Sequence, residues 1–306
     1  MRTRTIMDAD LGSPEYPEIY NESDLCAIDN QKKYLRLFRL KIGLLIAVSI
    51  VTSVSISNLL GFVGLGLVIA VVLLALMVLT AIIELRRFDR TWFSGRAVAE
   101  TVKKESWLFM MKAKPYDSIN VEDAMRIFLA NLRKILDSQS QISSELSAHL
   151  QDSPQITETM KRIRNGTVVE RLSSYVAHRV HNELLWYAGK SKLNRDLEFR
   201  WFVLTWVFQF LAVSFAFIVF LISNPVINPV GILTTTAAAL ISWMSVRSYR
   251  ELSQSNGLIK QELSLLEEQA RQLPPENEKE LDEFVQEVER TISREHTIWL
   301  SRRIVG

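Results

Sequence analysis

The chain has 306 residues, enough for two modest domains, and its 36 lysines and arginines against 34 aspartates and glutamates leave a formal charge of only +2. So even a balance gives no reason to expect a nucleic-acid partner. The single cysteine, Cys26, excludes an intramolecular disulfide and a multi-cysteine metal centre.

Residues 1–22 are acidic and rich in turn formers (Asp8, Asp10, Glu15, Glu18, Glu22) and read as a disordered tail. They do not form a secretory signal, because no small-residue cleavage site follows a short apolar core. From residue 23, with Ser23 as an N-cap, Leu25, Ile28, Leu35 and Phe38 mark a helix that leads into an apolar run. Residues 42–83 carry no charge. As one helix they would extend roughly 63 Å at about 1.5 Å per residue, twice the hydrocarbon thickness of about 30 Å. The run must therefore fold back, and residues 58–61 are the expected bend, where Asn58 interrupts the aliphatic stretch and Gly61, Gly64 and Gly66 follow. That gives spans at 40–59 and 62–84. Lys32, Lys33, Arg36, Arg39 and Lys41 precede this hairpin and Arg86, Arg87, Arg90 and Arg96 follow it, while its tip is uncharged. The bias of basic residues toward cytoplasmic flanks puts both ends in the cytosol.

Phe88, Trp92, Ala99, Val102 and Trp107 continue a helical stripe without a stop at Glu84, so the second span is expected to run on to Pro115. Asn120 or Ser118 caps a further amphipathic helix with Ala124, Ile127, Phe128, Leu132 and Ile135 on one face. Residues 153–166, with the breaking pair Asn165-Gly166, read as a linker between a first module, 23–152, and a second, 167–306. A second uncharged run, 201–246, again exceeds one crossing and has its own bend at 223–229, giving spans at 201–222 and 228–246. Lys190, Lys192, Arg195 and Arg200 before it and Arg247 and Arg250 after it give this hairpin the same orientation as the first. Trp201, Trp206 and Trp243 fit interfacial aromatic belts. Leu252, Asn256, Ile259, Leu263, Leu266, Ala270 and Leu273 then form a heptad seam, stopped by Pro274-Pro275. A last helix carries Leu281, Phe284, Val285, Val288, Ile292 and Trp299. This helical hairpin either packs on its own chain or joins subunits.

Each half thus reads as cytosolic helix, span, uncharged turn, span, cytosolic helix, and the fold class is all-α membrane protein: four transmembrane helices in two parallel-oriented hairpins with long cytosolic extensions. The segment Trp92-Phe93-Ser94-Gly95-Arg96-Ala97-Val98-Ala99-Glu100-Thr101-Val102-Lys103-Lys104, with Trp107 and Pro115-Tyr116, resembles the post-membrane helix of the bacterial SLATT family of two-span effector modules. Tyr175, Arg179, Trp186-Tyr187, Lys190 and Asn194 ahead of the second hairpin are similar to another branch of that family. The resemblance implies a role in anti-phage or other conflict systems, in which such modules form pores or disrupt the membrane when a nucleotide-sensing or nucleotide-generating partner triggers them. Two modules stand here in place of the usual one, with no attached sensor domain, so the trigger would act in trans or bind the cytosolic helices.

No phosphate-cradling loop, nucleophile elbow or zinc motif is present, and no cofactor, metal or enzymatic reaction is expected. His178 and His181 with Glu183 are far more often helix-surface histidines than the start of a metal site. Arg86, Arg87, Arg90, Arg96, Lys103 and Lys104 either anchor the chain to anionic headgroups or form a cytosolic anion-binding collar. Ser49, Ser53 and Ser57, with Thr52 beside them, recur every four residues and either pack helices or line a pore. No ionisable residue lies inside a span, which excludes a proton-coupled site there. Four spans per chain are too few for a comfortable channel, so conduction calls for a homo-oligomer. The reading is an oligomeric pore or ion channel of the bacterial inner membrane, with both termini cytosolic, gated by its cytosolic helices. Its partners are the lipid bilayer, further copies of the chain, and a nucleotide or nucleotide-sensing protein. The alternative is a non-conducting scaffold that recruits a cytosolic partner.

Overall fold

The structure, a computed structural model, describes residues 15–53, 57–118, 120–138, 154–221, 229–274 and 277–304. Every regular element among them is helical: α1 (Glu18–Ser53), α2 (Ser57–Arg86), α3 (Phe88–Met110), α4 (Val121–Ser138), α5 (Glu158–Asn165), α6 (Val168–Tyr175), a π-helical segment (Val176–His181), α7 (Asn182–Leu221), α8 (Val230–Arg247), α9 (Tyr249–Ala270) and α10 (Glu278–Ile304). They group into two units. One, the packed unit, holds Met1–Asn30, Asp89–Ser191 and Gln254–Gly306; the other, the apolar unit, holds Gln31–Phe88 and Lys192–Ser253. Each unit therefore draws on both sequence halves.

In the packed unit α3 is the spine, with Val98, Ala99, Val102, Trp107, Phe109 and Met110 buried. A Cβ on Gly95 would stand 3.1 Å from the Ser23 carbonyl oxygen and 3.2 Å from the Ala27 Cβ, so α1 and α3 approach backbone to backbone, as only glycine permits. Ala124, Phe128 and Leu132, four residues apart, turn one face of α4 inward, and the Phe128 ring lies 5.1 Å from Phe109 and 5.8 Å from Tyr116. The heptad seam is spent inside the chain. Ile259, Leu263, Leu266 and Ala270 of α9 share the core with Leu281, Phe284, Val285, Val288 and Ile292 of α10. Tyr175 meets Trp107 edge-on at 5.3 Å and Phe284 at 6.1 Å, which ties the two sequence halves into one interior.

Several boundaries differ from those read in the sequence. The acidic tail expected over 1–22 is folded from Glu18, because Tyr16, Ile19 and Tyr20 pack on the core and the Pro17 carbonyl accepts the first helical bond, from Tyr20 N–H at 3.0 Å. Residues 1–14 lie outside the described residues. Much of the interval expected as linker, 153–166, is α5, capped by Thr157 and burying Met160, Ile163 and Arg164. It stops at Asn165 as the Asn-Gly pair predicts, and a Thr167–Glu170 capping box starts α6. The helix expected to run unbroken to Pro115 is interrupted at Arg87, with φ 46°. It ends at Met110 in a Schellman turn: Lys112 takes φ 55°, its N–H donates to Phe109 O at 3.3 Å, and Ala113 N–H donates to Leu108 O at 3.0 Å.

The apolar unit is built differently. Its uncharged runs are apolar all round and leave Phe210 69%, Val213 70% and Phe220 82% exposed, while the buried hydrophobic residues among those described are Leu76, Leu79, Ile83, Ala212, Ala237, Ala239, Trp243 and Tyr249. An aqueous protein does not show such a surface. Three stretches, Gly66–Met110, Val168–Leu221 and Val230–Ala270, hold segments long and apolar enough to cross a membrane; they take in α2, α7 and α8. The expected first span is not among them; of it the described residues hold α1 as far as Ser53, twelve residues past Lys41, or about 18 Å of helix. Residues 58–61, expected as the bend, are helical within α2, which begins at Ser57; residues 54–56 lie outside the described residues. The second bend, expected at 223–229, lies outside them up to residue 228. Two helices end alike: α2 ends at Arg86 and the chain resumes helix after the left-handed Arg87, and α8 ends at Arg247 and the chain resumes helix after the left-handed Ser248, φ 48°. In each case the left-handed residue donates its N–H four residues back, to Ile83 at 3.2 Å and to Met244 at 2.8 Å.

Candidate functional site

The hydroxyl stripe of α1 lies in the apolar unit. Ser49 is buried and donates to Ile46 O at 2.7 Å; Thr52 donates to Val48 O at 3.0 Å and Ser49 O at 3.1 Å. Ser53 Oγ stands 3.2 Å from where a Cβ on Gly231 would be, so α1 and α8 approach closely at this level. Ser57 opens α2, and its side chain lies outside the described residues. On α8, Thr234, Thr236 and Ser242 likewise donate to carbonyls four residues back. Hydroxyls satisfied in this way expose no bare donor to an apolar surrounding.

The six cations of the expected collar divide. Arg86, Arg87 and Arg90 are exposed and Lys104 is half-buried. Arg96 is held by Asp24 at 2.8 Å and by Glu100, and Lys103 by Glu183 at 2.6 Å. The last two are committed inside the packed unit.

Lys103 belongs to a buried network that the sequence did not disclose. Arg179, 1% exposed, sits in the π-helical segment, donating Nε and Nη2 to the two Glu289 oxygens at 2.9 and 2.8 Å and Nη1 to Glu183 at 2.8 Å. Tyr175 Oη donates to Glu289 at 3.0 Å, and Trp107 Nε1 donates to Tyr16 Oη at 2.9 Å with Lys103 over the Tyr16 ring. Two cations and two carboxylates thus balance. Burial works against the Arg179 charge, but Glu289 and Glu183 outweigh it and raise its pKa. Burial likewise opposes the Glu183 charge, and Arg179 and Lys103 overcome it, holding that carboxyl below its ordinary range. Burial pushes the Tyr16 and Tyr175 hydroxyls far up and Tyr20 up to about 12, so all three stay protonated donors.

Two further buried arginines close the end of α3. Arg164 donates to the carbonyls of Phe109 (2.6 Å), Tyr116 (2.9 Å) and Ser118 (3.2 Å), and Arg171 to those of Met111 (2.6 Å) and Gly166 (3.2 Å) while pairing with Glu278. Burial, with Arg171 nearby, brings the Arg164 guanidinium down to about 10. These groups fix backbone that the last turn of a helix leaves unpaired. Of the network, only Arg179 and Glu183 stand at a spacing that local pattern reveals; Glu289 is 110 positions from Arg179. His181 Nδ1 lies 2.8 Å from Glu267 at an exposed position.

An ion-paired helical core joined in one chain to uncharged helical runs apolar all round defines a helical membrane protein. Residues 17–172 match the SMODS and SLOG-associating 2TM effector domain 3, and residues 175–299 match domain 1 of that series. The chain belongs to this family, SLATT, and carries two of its domains in tandem, which meet within α6. No curated protein and no solved structure matches it.

Proposed function

We propose that the chain is an oligomeric pore or ion channel of the bacterial inner membrane that acts in anti-phage or other conflict signalling. The observation that carries this reading is the apolar unit's surface: Phe210, Val213 and Phe220 call for lipid or further copies of the chain around them. Four spans form two parallel hairpins with both termini in the cytosol. Copies gather around an axis, and Thr52, on an exposed part of α1, faces the path while Ser53 packs at Gly231. The packed unit gates, triggered by a nucleotide or a nucleotide-sensing protein, and its motion reaches the spans through the left-handed residues Arg87 and Ser248. Arg86, Arg87 and Arg90, exposed, anchor that level to anionic lipid.

Electrical recording of the purified full-length protein in planar bilayers, before and after adding nucleotides and cytosolic extract, tests this. Discrete current steps are expected, with Thr52→Leu changing the single-channel conductance and Ser53→Leu lowering assembly instead. A silent bilayer, with oligomeric insertion confirmed, would replace the pore by a non-conducting scaffold that recruits a cytosolic partner.

A further inference from the structure

The second hairpin of the apolar unit begins and ends its uncharged run with an indole. Trp201 opens the run and Trp243 nearly closes it, so the chain brings them to the same end of the hairpin, where their rings meet edge-on at 6.5 Å. Both indole N–H groups are buried without an acceptor, and Trp243 is itself 8% exposed. A donor withdrawn from water and left unpaired costs about 1–3 kcal/mol, so two side by side ask for a shared acceptor.

The surroundings specify its charge. The Arg39 guanidinium lies 5.2 Å from the centre of the Trp243 ring and that of Arg247 lies 6.0 Å from it. Arg247 Nε donates to Tyr249 Oη at 3.3 Å, and neither arginine pairs with a carboxylate among the described residues. The adjacent cation Arg250 does have one, Glu198, at 3.3 Å. Beside this cluster Phe199, Phe202 and Trp206 are exposed. Two guanidiniums and two indole donors suit a phosphate monoanion, and an exposed aromatic wall next to them suits the acyl chains attached to it.

We propose that Trp201, Trp243, Arg39 and Arg247 form a binding site for the headgroup phosphate of an anionic phospholipid. Arg39, the exposed member of the four, turns from the ring face onto the phosphate and opens the way to the indole N–H groups. The site rests on the reading that the second hairpin lies in the bilayer, and not on conduction.

The test is native mass spectrometry of the full-length protein in an uncharged detergent, titrated with phosphatidylglycerol, with phosphatidylcholine, and with inorganic phosphate as competitor. The wild type should retain phosphatidylglycerol about tenfold more tightly than phosphatidylcholine, the scale of one charge-assisted hydrogen bond. Trp243→Phe, which keeps the ring and loses the N–H, and Arg39→Gln should each remove most of that preference. Because Arg39 is exposed, its variant folds and decides the matter even if Trp243→Phe does not. Equal retention of the two lipids, or a preference untouched by Arg39→Gln, would overturn the site. Displacement of phosphatidylglycerol by millimolar inorganic phosphate would assign the cluster to a soluble anion and overturn the lipid. Flotation with phosphatidylcholine vesicles reads the membrane separately: a chain that does not float ends the bilayer reading, whereas flotation without headgroup preference ends only this one.

Discussion

Exposure means opposite things in the two units. Leu265 in the packed unit is 73% exposed and Phe210 in the apolar unit is 69% exposed, so by area alone the two are the same residue. Around Leu265 stand charged neighbours, Glu262, Glu267 and Glu268, and beneath its helix is a core that already holds Leu263 and Leu266. Around Phe210 the helix carries no charge from Trp201 to Leu221. The packed unit buries its charges and can leave a leucine in water, whereas the apolar unit buries little and has no charge within its runs.

The sharpest way to break this contrast is to attack the buried charge. Arg179→Met would strand Glu289 and Glu183 without their shared cation, and removing one partner of a buried pair costs about 3–5 kcal/mol. Denaturant unfolding of the detergent-solubilised chain, followed by circular dichroism, should show a midpoint lowered accordingly. A loss below about 1 kcal/mol would mean that water reaches the network and that the packed unit is looser than its geometry. The next largest effect belongs to the apolar unit. Phe210→Arg should reduce membrane insertion by about 2.5–3.5 kcal/mol, the cost of a cation near the centre of a span, read as the membrane-integrated fraction. Leu265→Arg should leave stability within about 0.5 kcal/mol. Equal tolerance at both positions would remove the case for lipid around α7.

The same contrast explains what could be read beforehand. Periodicity exposed the inward faces of α4 and α9, because Ala124, Phe128 and Leu132 or Ile259, Leu263 and Leu266 carry their burial in their own spacing. Ile127, assigned to the same face of α4, is 36% exposed, since a stripe read at helical spacing is broader than the contact it makes. The uncharged runs were legible for a simpler reason, their length. Arg164, Arg171 and Arg179 were not, because a charged residue normally signals solvent and their acceptors are carbonyls and carboxylates supplied from far along the chain. The breaks at Arg87 and Ser248 carry no glycine or proline to announce them.

Acid offers a finer probe of the packed unit. Glu183 has a folded pKa below its ordinary 4.5, through Arg179 and Lys103 acting against its burial. The unfolded chain therefore binds the extra proton first. Stability from this group is complete above the unfolded value and is lost as pH falls through the folded one. Glu183→Gln should flatten the stability profile below about pH 4.5, and above that pH should show a constant deficit. An unchanged acid limb would mean that the carboxylate is not held by those cations.

The smallest effect tests how the helices end. Lys112 takes the left-handed position of the Schellman turn that closes α3, where glycine pays no Cβ penalty, yet its neighbours Phe109 and Met111 are already pinned by Arg164 and Arg171. Lys112→Gly relieves about 1–2 kcal/mol of backbone cost but adds about 0.5–1 kcal/mol of unfolded-chain entropy. The net gain should be about 0.5–1 kcal/mol, seen as a small rise in the unfolding midpoint. Ser248→Gly removes the same backbone cost in the apolar unit. If that residue is a joint through which the packed unit moves the spans, the glycine variant should alter the fraction of time a reconstituted channel is open in addition to the same small rise in the unfolding midpoint. A change confined to stability at both positions would make the left-handed residues plain helix ends.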